Sequence, residues 1–84
     1  MGKTGSAAPL GWAMRDCLRA LGDGECLGTP IVACRIATDY PTRLARAALQ
    51  RLEKRRYVER YGWRPAWQIT KAGRRWLYEN EEGA

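Results

Sequence analysis

The chain contains no histidine and no phenylalanine, and its three cysteines, Cys17, Cys26 and Cys34, include no C-x-x-C pair. Without imidazole, the commonest zinc ligand and the commonest general base are both missing. There is no G-x-x-x-x-G-K-[ST] loop, and the acidic residues are scattered rather than paired. We therefore expect no catalytic group, no metal site and no cofactor, and the chain is read as a non-enzyme. No apolar run approaches the roughly 18 residues that a membrane-spanning helix needs. Met1 to Ala8 carries only Lys3 as a charge and lacks the apolar centre of a signal peptide. With an odd number of cysteines, the expectation is a cytoplasmic protein whose thiols stay reduced and serve as small apolar residues on helices.

What is present is a skewed charge. Of 84 residues, 15 are Lys or Arg and 9 are Asp or Glu. Residues 1–39 balance to zero, whereas residues 40–78 hold eleven cations against only Glu53 and Glu59. Glu79, Glu81 and Glu82 then return the total to +6. An Arg-dominated block of one sign suits a polyanion held by paired hydrogen bonds to phosphate or guanine. The length allows one small core that hides about 60% of the unfolded surface.

Periodicity divides the chain into one domain, residues 9–79, between a Gly/Ala/Ser-rich flexible start, residues 1–8, and a frayed acidic tail, residues 80–84. Leu10, Met14, Leu18 and Leu21 predict helix 1 over about Pro9 to Leu21, stopped by Gly22-Asp23-Gly24. Thr29 reads as an N-cap with Pro30 at the first helical position, opening a short second helix that ends near Thr38. Asp39-Tyr40-Pro41-Thr42 reads as a turn. Leu44, Ala45, Ala48, Leu49 and Leu52 then mark the apolar face of a third helix, about 41–55, whose other face carries Arg43, Arg46, Ala47, Gln50 and Lys54. Residues 57–61 and 66–69 alternate as strands about a tip at 62–65, and Thr70 caps a last helix ending near Tyr78.

Two segments carry a resemblance. Leu49-Gln50-Arg51-Leu52-Glu53-Lys54-Arg55-Arg56-Tyr57-Val58-Glu59-Arg60 and Ile69-Thr70-Lys71-Ala72-Gly73-Arg74 resemble the passage into and out of the wing in the winged helix-turn-helix superfamily, especially MarR-like and PadR-like regulators and small phage-borne versions. The match spans about Leu10 to Tyr78. It departs at Arg56, where the family usually has a helix-ending Gly, and in lacking long dimerisation helices at either end. The resemblance implies an α+β winged helix-turn-helix: a three-helix core, a two-stranded hairpin wing and a short C-terminal helix.

It also implies double-stranded DNA as partner and a role in transcription regulation in a prokaryote or its phages. Helix 3 would enter the major groove, placing Thr42, Arg43, Arg46 and Gln50 at base edges and Lys54 at phosphate. Thr29 would receive a phosphate at the start of helix 2. Arg60, Trp63 and Arg64 on the wing would reach backbone or minor groove. Blander roles stand beside these: a charged stripe can be a solvated face, Trp63 can simply brace the hairpin, and Trp67 and Trp76 are core candidates. Arg55, Arg56, Arg74 and Arg75 can add only to the general field. Two competing readings are a winged helix that docks an acidic protein, and an RNA binder, although no aromatic platform on a sheet is evident. A homodimer on a palindrome would follow from half-site spacing, without a designated surface.

Overall fold

A computed structural model describes residues 10–62 and 66–82. The flexible start assigned to residues 1–8, with Pro9, and the wing-tip residues Trp63, Arg64 and Pro65 lie outside the described residues, as do residues 83 and 84. The chain forms α1 (Trp12–Ala20), β1 (Leu27–Gly28), α2 (Thr29–Ile36), α3 (Thr42–Lys54), β2 (Val58–Tyr61), β3 (Ala66–Ile69) and α4 (Lys71–Leu77), with a π-helical turn over Tyr78–Glu82. The described residues form a small α+β arrangement of four helices and a three-stranded antiparallel sheet.

Packing follows the apolar stripes. Cys17, Leu18 and Leu21 of α1 and its exit, Val32 of α2, and Ala45, Leu49 and Leu52 of α3 are fully sealed. The alanines at 45 and 48 let α1 approach α3 closely, so that the Cys17 thiol faces the Ala45 carbonyl at 3.9 Å. Burial pushes that thiol up to about 12. Leu44, expected in the core, is 40% exposed. At 100° per residue it sits about 90° from the centre of the stripe defined by Ala45, Ala48, Leu49 and Leu52, at its very edge.

The sheet runs in the order β1-β3-β2, with Leu27 opposite Trp67 and Val58 opposite Ile69. Trp67 and Ile69 alternate inward from the central strand, while β2 buries only Val58. The two-residue β1 was not expected. Thr29 also differs from expectation. It is the first helical residue, Gly28 holds the cap position, and the Thr29 hydroxyl accepts a hydrogen bond from the Trp67 indole Nε1 at 2.9 Å. A buried indole N–H usually finds such a partner, and here a threonine beside the sheet supplies it.

The end of α3 closes as a Schellman motif. The Arg56 amide donates to Glu53 O at 2.9 Å and the Tyr57 amide to Leu52 O at 3.0 Å. Arg56 holds φ at 66°, in the left-handed region. An L-residue there costs about 1–2 kcal/mol that glycine would avoid. Its carbonyl accepts from the Thr70 hydroxyl at 2.7 Å, and the Thr70 amide donates to Tyr57 O at 3.0 Å. The same Thr70 oxygen accepts from the Gly73 amide at 3.1 Å, capping α4 as expected. Gly73 is needed because a Cβ there would lie 2.3 Å from Tyr57 O. Thus the Thr-x-x-Gly spacing fastens the start of α4 onto the exit from α3.

The π turn continues from α4 to Glu82, and Asn80 Nδ2 donates to Trp76 O at 2.8 Å. Among the described residues no helix is long and apolar enough to cross a membrane.

Candidate nucleic-acid interface

The 13-residue α3 buries one face against α1 and α2 and turns the other outward. Arg43, Arg46, Ala47, Gln50, Arg51 and Lys54 are all exposed, and Thr42 at the helix start is half-buried. The core stripe dictates this: once Ala45, Ala48, Leu49 and Leu52 point inward, residues 43, 46, 47, 50, 51 and 54 have nowhere else to face. Arg43, Arg46, Arg51 and Lys54 have no carboxylate partner among the described residues. The helix therefore presents cations separated by the small Ala47, with Gln50 among them. Below them runs a trough of about 400 Å³ lined by Ala47, Gln50, Arg51, Glu53, Lys54 and Arg60.

This face is set apart from the rest of the surface by how charges elsewhere are used. On α2, Arg35 is clamped by Asp23 at 2.7 Å and by Glu25, fixing the loop between α1 and β1. Hydrogen bonding to Arg35 holds the Asp23 carboxyl below its usual range and, reciprocally, raises Arg35. Positive charge without a partner is thus concentrated on α3 and beyond it. The chain matches no family model, no curated protein and no solved structure.

The remaining expected contact residues fare differently. Arg60 does not extend from the wing. It lies on β2, where its Nη2 and Nε donate to Glu53 at 2.7 and 3.1 Å, and its guanidinium sits 5.4 Å over the Trp67 ring. Register explains this, because Arg60 pairs opposite Trp67 on β3 and Glu53 is the next-to-last residue of the neighbouring α3. Arg60 therefore borders the α3 trough from within β2, one pair away from its tip-side end. Thr29 is only 6% exposed and its hydroxyl is engaged with Trp67, so its side chain is not offered to a phosphate. Trp63 and Arg64 lie outside the described residues. Trp67 and Trp76 are core residues.

Two participants were missed from the sequence. Arg51 lines the trough and is exposed; it sits at the same heptad edge as Leu44, where periodicity assigns neither face. Glu53 supplies the one carboxylate in the trough, and that carboxylate is taken by Arg60. A glutamate seven residues before an arginine carries no signal until the α3 exit is known to fold the chain back. The cysteine expectation also changes. Cys17 is buried, but Cys26, in the loop before β1, and Cys34, on the outer face of α2, are exposed free thiols. No group of three metal-ligating side chains occurs among the described residues.

Proposed function

We propose that the chain binds double-stranded DNA as a winged helix-turn-helix domain, inserting α3 into the major groove, and that it acts as a small transcription regulator. What supports the reading is the outward face of α3: Arg43, Arg46, Arg51 and Lys54 unpartnered, Gln50 between them, and no free carboxylate among them. A helix of this kind fits the major groove, where Arg bridges guanine O6 and N7 and Gln bridges adenine N6 and N7, each good pair discriminating by about 1–3 kcal/mol. The order of elements adds support, since α2 and α3 are joined by a short turn through Tyr40 and Pro41, and a hairpin follows α3 directly. Arg60 on β2 and Lys54 at the end of α3 would contact phosphate, which fixes register without reading sequence.

The test is selection of bound sequences from a random duplex pool at about physiological salt, followed by the same selection with Arg43→Ala and Arg46→Ala. An enriched motif whose preference relaxes at one position in each variant supports the reading. Absence of any duplex binding by the wild type would overturn it, and an enriched motif with unchanged preference in both variants would remove these residues from base recognition.

A further inference from the structure

The α3 trough does not end at Lys54. It shares Glu53, Lys54 and Arg60 with a second, larger cleft of about 830 Å³ that runs between the exit of α3, β2 and the first turn of α4. Arg56 and Lys71 form its far walls, with Val58 and Ala72 as apolar floor. Both cations are exposed, and neither has an ion-pair partner among the described residues. Of the two carboxylates lining the cleft, Glu53 is paired with Arg60, whereas Glu59 accepts from the Tyr61 hydroxyl at 3.1 Å and keeps its charge, set against the three remaining cations Lys54, Arg56 and Lys71. An excess of positive charge therefore lines a channel continuous with the exposed face of α3.

Arg56 is the informative residue. Everything the fold asks of position 56 is done by its backbone: the amide closes the helix end and the carbonyl receives Thr70. Glycine would do both without strain, yet the chain carries a long cationic side chain at φ 66°. Backbone strain kept where packing has no use for the side chain points to a use outside the fold. The side chain lies in the wall of a cleft whose open end meets the proposed DNA-reading face.

We propose that this cleft is a second contact for the same duplex, in which Arg56 and Lys71 hold the sugar-phosphate backbone as it leaves the face of α3. The inference rests on the DNA-binding reading above and extends its footprint to the start of α4. It assigns Arg56 and Lys71 a positioning and affinity role without base discrimination, because phosphates carry no sequence.

The experiment measures binding of a fluorescent duplex, carrying the selected motif or a mixed sequence, by anisotropy between 50 and 200 mM salt. The proteins are wild type, Arg46→Ala, Arg56→Gly, Arg56→Lys and Lys71→Ala, with a thermal melt of each. Arg56→Gly and Lys71→Ala are expected to weaken binding about 3–10-fold on all sequences alike, and to lower the log–log salt slope by about 0.9 each. Arg56→Gly should at the same time melt higher than wild type, so lost binding cannot be ascribed to lost folding. Arg56→Lys should retain most affinity. If Arg46→Ala loses affinity while Arg56→Gly and Lys71→Ala bind as wild type, the cleft is not a DNA contact and the α3 reading stands. If a polyglutamate peptide binds wild type and is released by Arg56→Gly while duplex affinity is unmoved, the cleft takes an acidic protein segment and the proposal is overturned. If wild type binds no duplex, both readings fall together.

Discussion

Replacing Gly73 by alanine tests how tightly the two ends of the hairpin module are joined. The new Cβ would stand 2.3 Å from Tyr57 O and 2.8 Å from Ile69 Cγ1, where ordinary contact begins at 3.4 Å. The Tyr57 carbonyl must therefore retreat by about 1 Å, or α4 must lift away. Either movement strains the Thr70 amide bond to the same carbonyl and the Thr70 cap on residue 73. Lifting α4 also loosens Trp76 and Leu77, which are 4% and 9% exposed. Overpacking of this kind costs about 1–3 kcal/mol, and loss of the cap about 1 kcal/mol. The better helix propensity of alanine returns about 1 kcal/mol. The net loss of about 2 kcal/mol should lower the melting temperature by roughly 8–16 °C in a domain of this size. Thermal unfolding followed by circular dichroism measures it, with Gly28→Ala as control, since a Cβ there meets nothing nearer than Pro30 Cδ at 3.8 Å. A Gly73→Ala protein melting within about 2 °C of wild type would refute the argument.

Other consequences can be checked on the same protein. Thr29→Val strips the Trp67 indole of its acceptor and should cost about 1–3 kcal/mol in denaturant unfolding, with Thr29→Ser restoring most of it. An alkylating reagent should modify Cys26 and Cys34 in the native protein, whereas Cys17, buried with its thiol pushed up to about 12, should react only after unfolding, as mass spectrometry would show. Because Asp23 titrates below its usual range in the folded state, its contribution is present above the ordinary Asp value and is lost as pH falls through the folded one. Asp23→Asn should therefore flatten the acid end of the melting temperature against pH, slightly, since the pair with Arg35 is exposed.

Patterns that repeat within one element were legible in advance. The inward stripe of α3, the alternation of β3, and the Thr70-x-x-Gly73 entry to α4 each arise from a local period or a local cap. Arg56 too was marked, as the position where the resembled family usually has a helix-ending glycine. What stayed hidden depends on distant partners. The two residues of β1 have no period to detect, and they become a strand only because β3 offers a free edge. Thr29 looks like a cap until Trp67, 38 positions away, claims its hydroxyl. Arg60 looks like a wing cation until the chain reversal after α3 brings Glu53 alongside. For the candidate interface, the α3 cations were visible from periodicity, whereas the adjoining cleft exists only once α4 is seen to begin beside the end of α3.

The central strand β3 is gripped on both sides, by β1 through Leu27–Trp67 and by β2 through Val58–Ile69, and is anchored at its end by Thr70. Strand alignment in a lone hairpin would hang on the length of its connection; here it is held by pairs remote from that connection. The segment between Gly62 and Ala66 can then change in length at only the slow logarithmic cost of closing a longer loop, about 0.6 kcal/mol per doubling. Reach and stability are thereby uncoupled. Lineages could lengthen or shorten the hairpin to suit different targets without repacking the interior, and an experimenter could insert a short Gly-Ser peptide or a labelling handle after Gly62 and keep the melting temperature nearly unchanged.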